Sequence, residues 1–177
     1  MFIASKSFVT RLERARTGLL DDVLFFGKGG ATSISLIHSD VFKKFMATDV
    51  SKVFLQVAGN DIPAMSTLEG IVGNIDQLVR RILEKPDPPT IIIGSIFYRY
   101  RPRGMTATDY NIQVEALNED LARKYRQHPK VHFWSLRGLR PLKRSDFVDG
   151  VHLNRTITWR FARQVRLALF CQRPHDH

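Results

Sequence analysis

An aspartate and a histidine three residues apart stand in the stretch Asp149-Gly150-Val151-His152-Leu153-Asn154. In a tight turn permitted by Gly150, the carboxylate can reach the imidazole Nδ1–H. That contact fixes the tautomer and leaves Nε2 to act as a base. Taken alone, the same pattern also describes a surface Asp-Gly turn beside an incidental histidine. Gly59-Asn60-Asp61 follows an apolar run, where an Asn amide can donate to a developing oxyanion; three turn formers in a row also make a plain turn. Gly27-Lys28-Gly29-Gly30-Ala31-Thr32 follows another such run. It can bring a backbone N–H to an oxyanion or cradle a phosphate, although its spacing fits neither the dinucleotide fingerprint nor the P-loop. Ser7 opens a helix-period stretch, as a nucleophile beside free N–H groups or as an N-cap.

These residues need elements that bring them together. Short apolar runs at Met1–Ala4, Val23–Phe26, Val53–Val57, Ile91–Ile93 and Val131–Trp134 read as strands buried on both faces, as in a parallel sheet. Helix-period segments fall between them. One follows the capping box Ser66-Thr67-Leu68-Glu69, carries Ile71, Ile75, Leu78, Val79, Ile82 and Leu83 on a stripe, and stops at Pro86. Others run over Thr108–Gln127, Thr156–Cys171, Ser33–Met46 and Phe8–Arg16. Strand and helix alternate throughout, which implies right-handed crossovers and a doubly wound sheet. Sites in such sheets form beyond the carboxyl ends of the strands, where all four chemical segments lie.

The 177 residues suit one domain, expected over 1–171 with a flexible tail at 172–177. Twenty-seven Lys and Arg against 17 Asp and Glu give a net charge of +10, which favours polyanionic partners or simply solvates helix faces. Arg99, Arg101 and Arg103 interleave with Phe97, Tyr98 and Tyr100, a pattern that suits stacking on single-stranded nucleic acid or ordinary packing beside solvated arginines. The lone Cys171 excludes an intrachain disulfide. His38, His128, His132, His175 and His177 show no ligand spacing, so no metal or other cofactor is expected. There is no signal-peptide core or run of about 20 apolar residues. A cytoplasmic or nuclear protein without a transmembrane segment is the expectation.

From Phe2 to Leu169, the four segments occur in the order of the four sequence blocks of the SGNH, or GDSL-like, hydrolases, and the chain resembles that family. Asp149–Asn154 before a basic amphipathic helix, with Phe133-Trp134-Ser135 upstream, is similar to an animal and retroelement-associated subgroup. The resemblance implies a three-layer α/β/α fold with a flavodoxin-like, five-stranded parallel sheet. It implies Ser7 as nucleophile, His152 as base and Asp149 as its orienter. The Ser7 N–H, the Gly30 N–H and the Asn60 side chain become the oxyanion donors. The chain departs from the family at its first block, where Ser5-Lys6-Ser7 replaces Gly-Asp-Ser. The first strand is shorter than usual, and Ile157 stands where the subgroup has glycine. An ammonium at Lys6 would help an oxyanion and disfavour the imidazolium form of His152.

Two functions follow. One is a serine ester hydrolase acting on a small acyl ester. The other is a catalytically impaired module of the same fold that binds nucleic acid or another anionic surface through Arg99, Arg101 and Arg103. A phosphate-binding flavodoxin-like protein ranks last, because it leaves Asp149 and His152 without a role.

Overall fold

The computed structural model describes residues 1–5, 12, 19–64, 67–139 and 142–170. Its strands are β1 (Phe2–Ser5), β2 (Phe25–Lys28), β3 (Lys52–Gln56), β4 (Thr90–Gly94) and β5 (Val131–Trp134). They form one parallel sheet in the order β2-β1-β3-β4-β5. This is the flavodoxin-like order, whose switch point lies between β1 and β3. Helices α1 (Ser33–Ile37), α2 (Asp40–Met46), α3 (Leu68–Leu83) and α4 (Ala107–Lys124) lie in the crossovers, and α5 (Arg155–Phe170) follows the last strand.

The central strands are buried on both faces, and alternate residues serve different cores. Val53, Leu55, Ile91 and Ile93 join the core beneath α1 to α4. Phe54 and Ile92 point the other way, into the core beneath α5. There Phe161 packs edge-on against Phe54 and Phe97, with ring centroids 6.3 and 5.2 Å away. The expected three layers are therefore present.

Local capping sets most boundaries. The Oγ1 of Thr67 accepts from the Gly70 N–H at 3.1 Å and starts α3. The N-cap is thus Thr67 rather than the Ser66 of the expected capping box. The stripe Ile71, Ile75, Leu78, Val79 and Ile82 is buried as its spacing implies. Thr106 caps α4 through the Asp109 N–H. The helix expected over Ser33–Met46 is instead broken in two. Buried Ser39 donates to the Leu36 carbonyl at 2.6 Å and accepts from the Phe42 N–H at 3.2 Å. Its hydroxyl thus closes α1 and opens α2, a competition with the helix ladder that serine often wins. β2 begins at Phe25 rather than Val23, because Val23 N–H bonds back to the Leu20 carbonyl in a turn. The helix expected over Phe8–Arg16, except Leu12, and the tail at 172–177 lie outside the described residues.

Gly94 ends β4 beneath the site. A Cβ there would meet Phe54 Cζ and Gln56 Oε1, each at 2.6 Å. Both neighbours are buried and cannot yield. Gly94→Ala should therefore destabilise the fold by about 1–3 kcal/mol through overpacking. Its melting temperature should fall by several degrees, at roughly 2–4 °C per kcal/mol. A thermal melt matching wild type would contradict this account of the sheet edge.

Candidate active site

The carboxyl ends of β2, β3 and β4 and the loop before α5 meet around one cleft, open to solvent and enclosing about 540 Å³ with its mouth. Ala31, Gly59, Asn60, Arg99, Tyr110 and Val151 are among its lining residues. Each of the three described chemical segments thus contributes to one wall of the same space.

The wall after β3 is built around a tight turn. Ala58 has φ +71° there, a left-handed conformation that costs a non-glycine residue of order 1 kcal/mol or more. The Asp61 N–H closes the turn on the Ala58 carbonyl at 2.9 Å. Asp61 is fully buried, and both its carboxyl oxygens lie 3.0 Å from the Ser33 N–H at the start of α1. Burial pushes its pKa up, and the bond from Ser33 opposes the shift. An acidic partner at a helix N-terminus satisfies an otherwise orphaned donor. This contact ties the β3 turn to the loop after β2. Asn60 repeats the tie by donating from Nδ2 to the Ala31 carbonyl at 3.1 Å. Gly30, one residue earlier, is exposed and has φ +64°.

Arg99, from the loop after β4, reaches into the same wall. Its Nη2 donates to Asn60 Oδ1 at 3.0 Å, and its guanidinium lies 5.2 Å from the centre of the Tyr110 ring. The Tyr110 hydroxyl donates to the Gly59 carbonyl at 3.0 Å. Burial pushes its pKa up to about 12, so it remains a donor at neutral pH. A Cβ on Gly59 would come within 2.9 Å of Arg99 Nη2, so glycine there permits the close approach.

The fourth segment is a compact loop. His152 Nδ1 is 2.7 Å from Asp149 Oδ2. Asp149 Oδ1 accepts the backbone N–H groups of Val151 and His152 at 2.9 and 2.8 Å. Partial burial works to raise the Asp149 pKa. The bonds from the His152 ring and the two backbone amides outweigh it and hold the carboxyl well below the usual carboxylate range. Gly150 turns the loop with φ +86°. Its carbonyl accepts from the Tyr100 and Arg101 N–H groups at 2.6 and 3.2 Å, which pins the loop to the exit of β4. Asn154 caps α5: its Oδ1 accepts from the Ile157 N–H at 2.9 Å.

The structure therefore brings Asp149 and His152 into contact and sets Asn60 and Ala31, next to Gly30, in the adjoining wall. Ser7 and Lys6 lie outside the described residues. Two of the aromatic residues near the arginine cluster, Phe97 and Tyr100, serve packing. Phe97 is buried against Phe161, and Tyr100 packs on Phe147 and donates to the Leu142 carbonyl at 3.0 Å. Arg99 turns inward, while Arg101 and Arg103 are exposed. Among the described residues, no group of three or more His, Cys, Asp or Glu side chains could hold a metal ion. No helix among them is long and apolar enough to cross a membrane.

The sequence model of the GDSL-like lipase/acylhydrolase family matches residues 4–157. The chain belongs to that family. No curated protein matches its sequence. Solved structures similar to this GDSL-like chain include a lipolytic protein of the G-D-S-L family from Veillonella parvula, at 17% identity and TM-score 0.72, covering 97% of this chain and 98% of that one. Another is a carbohydrate esterase of family 3 from Talaromyces cellulolyticus, at 14% identity, TM-score 0.71 and coverage of 96% and 94%. A third is the carbohydrate acetylesterase Est24 from Sinorhizobium meliloti, at 13% identity, TM-score 0.67 and coverage of 96% and 99%. At these identities the likeness establishes a shared fold.

The Asp149 geometry has a pH signature. A carboxyl whose folded pKa is depressed contributes stability above its unfolded pKa, about 3.9, and loses it as pH falls toward the folded value. Urea unfolding of wild type and Asp149→Asn should show the aspartate protein more stable at pH 7, with the gap shrinking from pH 4 to pH 2. Half exposure of the Asp149 side chain keeps that gap small. A gap constant through the acid range would refute the assignment.

Proposed function

We propose that this GDSL-like acylhydrolase is a serine ester hydrolase in which Ser7, His152 and Asp149 act together on a short acyl ester. The observation that carries the reading is the Asp149–His152 pair, which engages Nδ1 and leaves Nε2 as the basic nitrogen of the ring. Ser7 follows the end of β1 by two residues, and β1 lies between β2 and β3 at the switch point of the sheet. Its hydroxyl attacks the ester carbonyl, forming the new C–O bond as its proton passes to His152 Nε2. The carbonyl electron pair moves onto oxygen, where the Asn60 amide and the N–H groups of Ser7 and Gly30 receive it. Collapse breaks the bond to the leaving alcohol, which takes the proton back from His152. Water then repeats the sequence on the acyl-enzyme, releasing the acid and restoring Ser7.

Asn60 suits the role because its Nδ2 carries two hydrogens and only one is spent on the Ala31 carbonyl. Acetyl is the acyl group we favour, in keeping with the carbohydrate esterase and acetylesterase among its structural neighbours. Ser5 and Lys6, where the family carries Gly and Asp, place a positive charge beside the nucleophile in sequence. We read them as moderating the rate through the imidazolium rather than abolishing the site.

Hydrolysis of p-nitrophenyl acetate tests the proposal. Ser7→Ala and His152→Ala should each lower kcat by roughly 10³-fold or more, by analogy with triads in general. Asn60→Ala should lower it by about 10²- to 10³-fold, as expected for one oxyanion donor. A rate for Ser7→Ala equal to wild type would remove that serine from the reaction.

A further inference from the structure

Arg99 belongs to no part of the catalytic set just described, yet it makes a side-chain contact with one of its members. We propose that Arg99 is a positioning residue that fixes the orientation of the Asn60 amide, so that its second N–H faces the cleft. This rests on the reading of Asn60 as an oxyanion donor.

An asparagine side chain has two ends that differ only in hydrogen-bond polarity, and a half-turn about its terminal bond exchanges them. Here each end meets a partner of fixed polarity. The Ala31 carbonyl can only accept, so it demands Nδ2. The guanidinium of Arg99 can only donate, so it demands Oδ1. Reversing the amide would set a carbonyl against a carbonyl and an NH₂ against a cation. The orientation is therefore determined at both ends, and the second Nδ2 hydrogen is the one left over. A charged donor on Oδ1 also polarises the amide and makes that hydrogen a better donor.

Arg99 is itself held rigidly. Its backbone N–H donates to Asn111 Oδ1 at 2.9 Å, and its carbonyl accepts from Asn111 Nδ2 at 3.2 Å. Its guanidinium rests over Tyr110, the residue before Asn111 on α4. Tyr110 in turn holds the Gly59 carbonyl, one residue from Asn60. One turn of α4 thus grips both the arginine and the strand end it serves. Among the described residues, no carboxylate lies within ion-pairing distance of its side chain.

A double-mutant cycle on ester hydrolysis separates this role from a general one. Arg99→Met should lower kcat about tenfold with KM little changed in the wild-type background, and less than twofold when Asn60 is already alanine. Additive losses in the two backgrounds would overturn the inference. If Arg99→Met melts early, Arg99→Lys takes its place in the cycle. It keeps the charge and the stem over the ring but not the planar fork. The expected loss is then about threefold, again absent in Asn60→Ala.

A second readout does not depend on turnover. In amide NMR spectra, the two Nδ2 protons of Asn60 should be well separated in wild type and should converge or broaden in Arg99→Met. Unchanged lines would overturn the inference even with activity lost. A normal rate for Asn60→Ala would instead overturn the oxyanion reading beneath it, with the NMR result deciding the Arg99 contact by itself.

Discussion

A parallel strand that is covered on both faces can be followed only by a crossover, and every crossover delivers the chain to the same edge of the sheet. That constraint organises this molecule. Val53 and Leu55 serve one core while Phe54 serves the other, and Ile91, Ile92 and Ile93 repeat the division on β4. Two-sided burial keeps the middle of these strands apolar, so the polar residues with chemical potential fall at or beyond their carboxyl ends. Gly59-Asn60-Asp61, Arg99 and the Asp149–His152 loop are neighbours for this reason, although they are far apart in the chain.

The electrostatics of that edge come from small, separately satisfied groups. Asp61 is buried and answers one N–H at the head of α1. Asp149 is half exposed and answers two backbone amides as well as the imidazole. Their pKa values move in opposite directions because desolvation dominates at the first and hydrogen bonding at the second. A carboxylate kept ionised beside His152 can stabilise an imidazolium, whereas Asp61 holds two loops together.

Much of this was legible in the sequence. Continuous apolar runs gave away the strands, and proline and capping signals gave away α3 and α4. The Asp149-Gly150-Val151-His152 spacing foretold a contact that the structure contains. What the sequence concealed was competition among polar groups. Ser39 looks like any mid-helix serine until its hydroxyl is seen taking over from the helix ladder. Thr67, not the equally plausible Ser66, caps α3. Arg99, Arg101 and Arg103 look equivalent by spacing, but only Arg99 turns inward, because Asn60 offers it a carbonyl and Tyr110 a ring face. The aromatic residues between them were ambiguous for the same reason. Whether Phe97 and Tyr100 face solvent or a core depends on α5 and the 142–147 segment, which come later in the chain.

α1 has only five residues, far below the length at which a helix holds together by itself in water. It persists through burial of Leu36 and Ile37 in the core, the contact of its first N–H with Asp61, the reciprocal bonds between Thr32 and Ser35, and a bond from Lys28 to the Ser35 carbonyl. The Gly30–Ala31 backbone leads directly into it, so that wall of the cleft is only as durable as the docking of one short helix. A fluctuation that opened α1 while sparing every strand would erase the wall and leave the sheet intact. Heat or denaturant should then extinguish whatever reaction the cleft supports before circular dichroism registers a loss of structure.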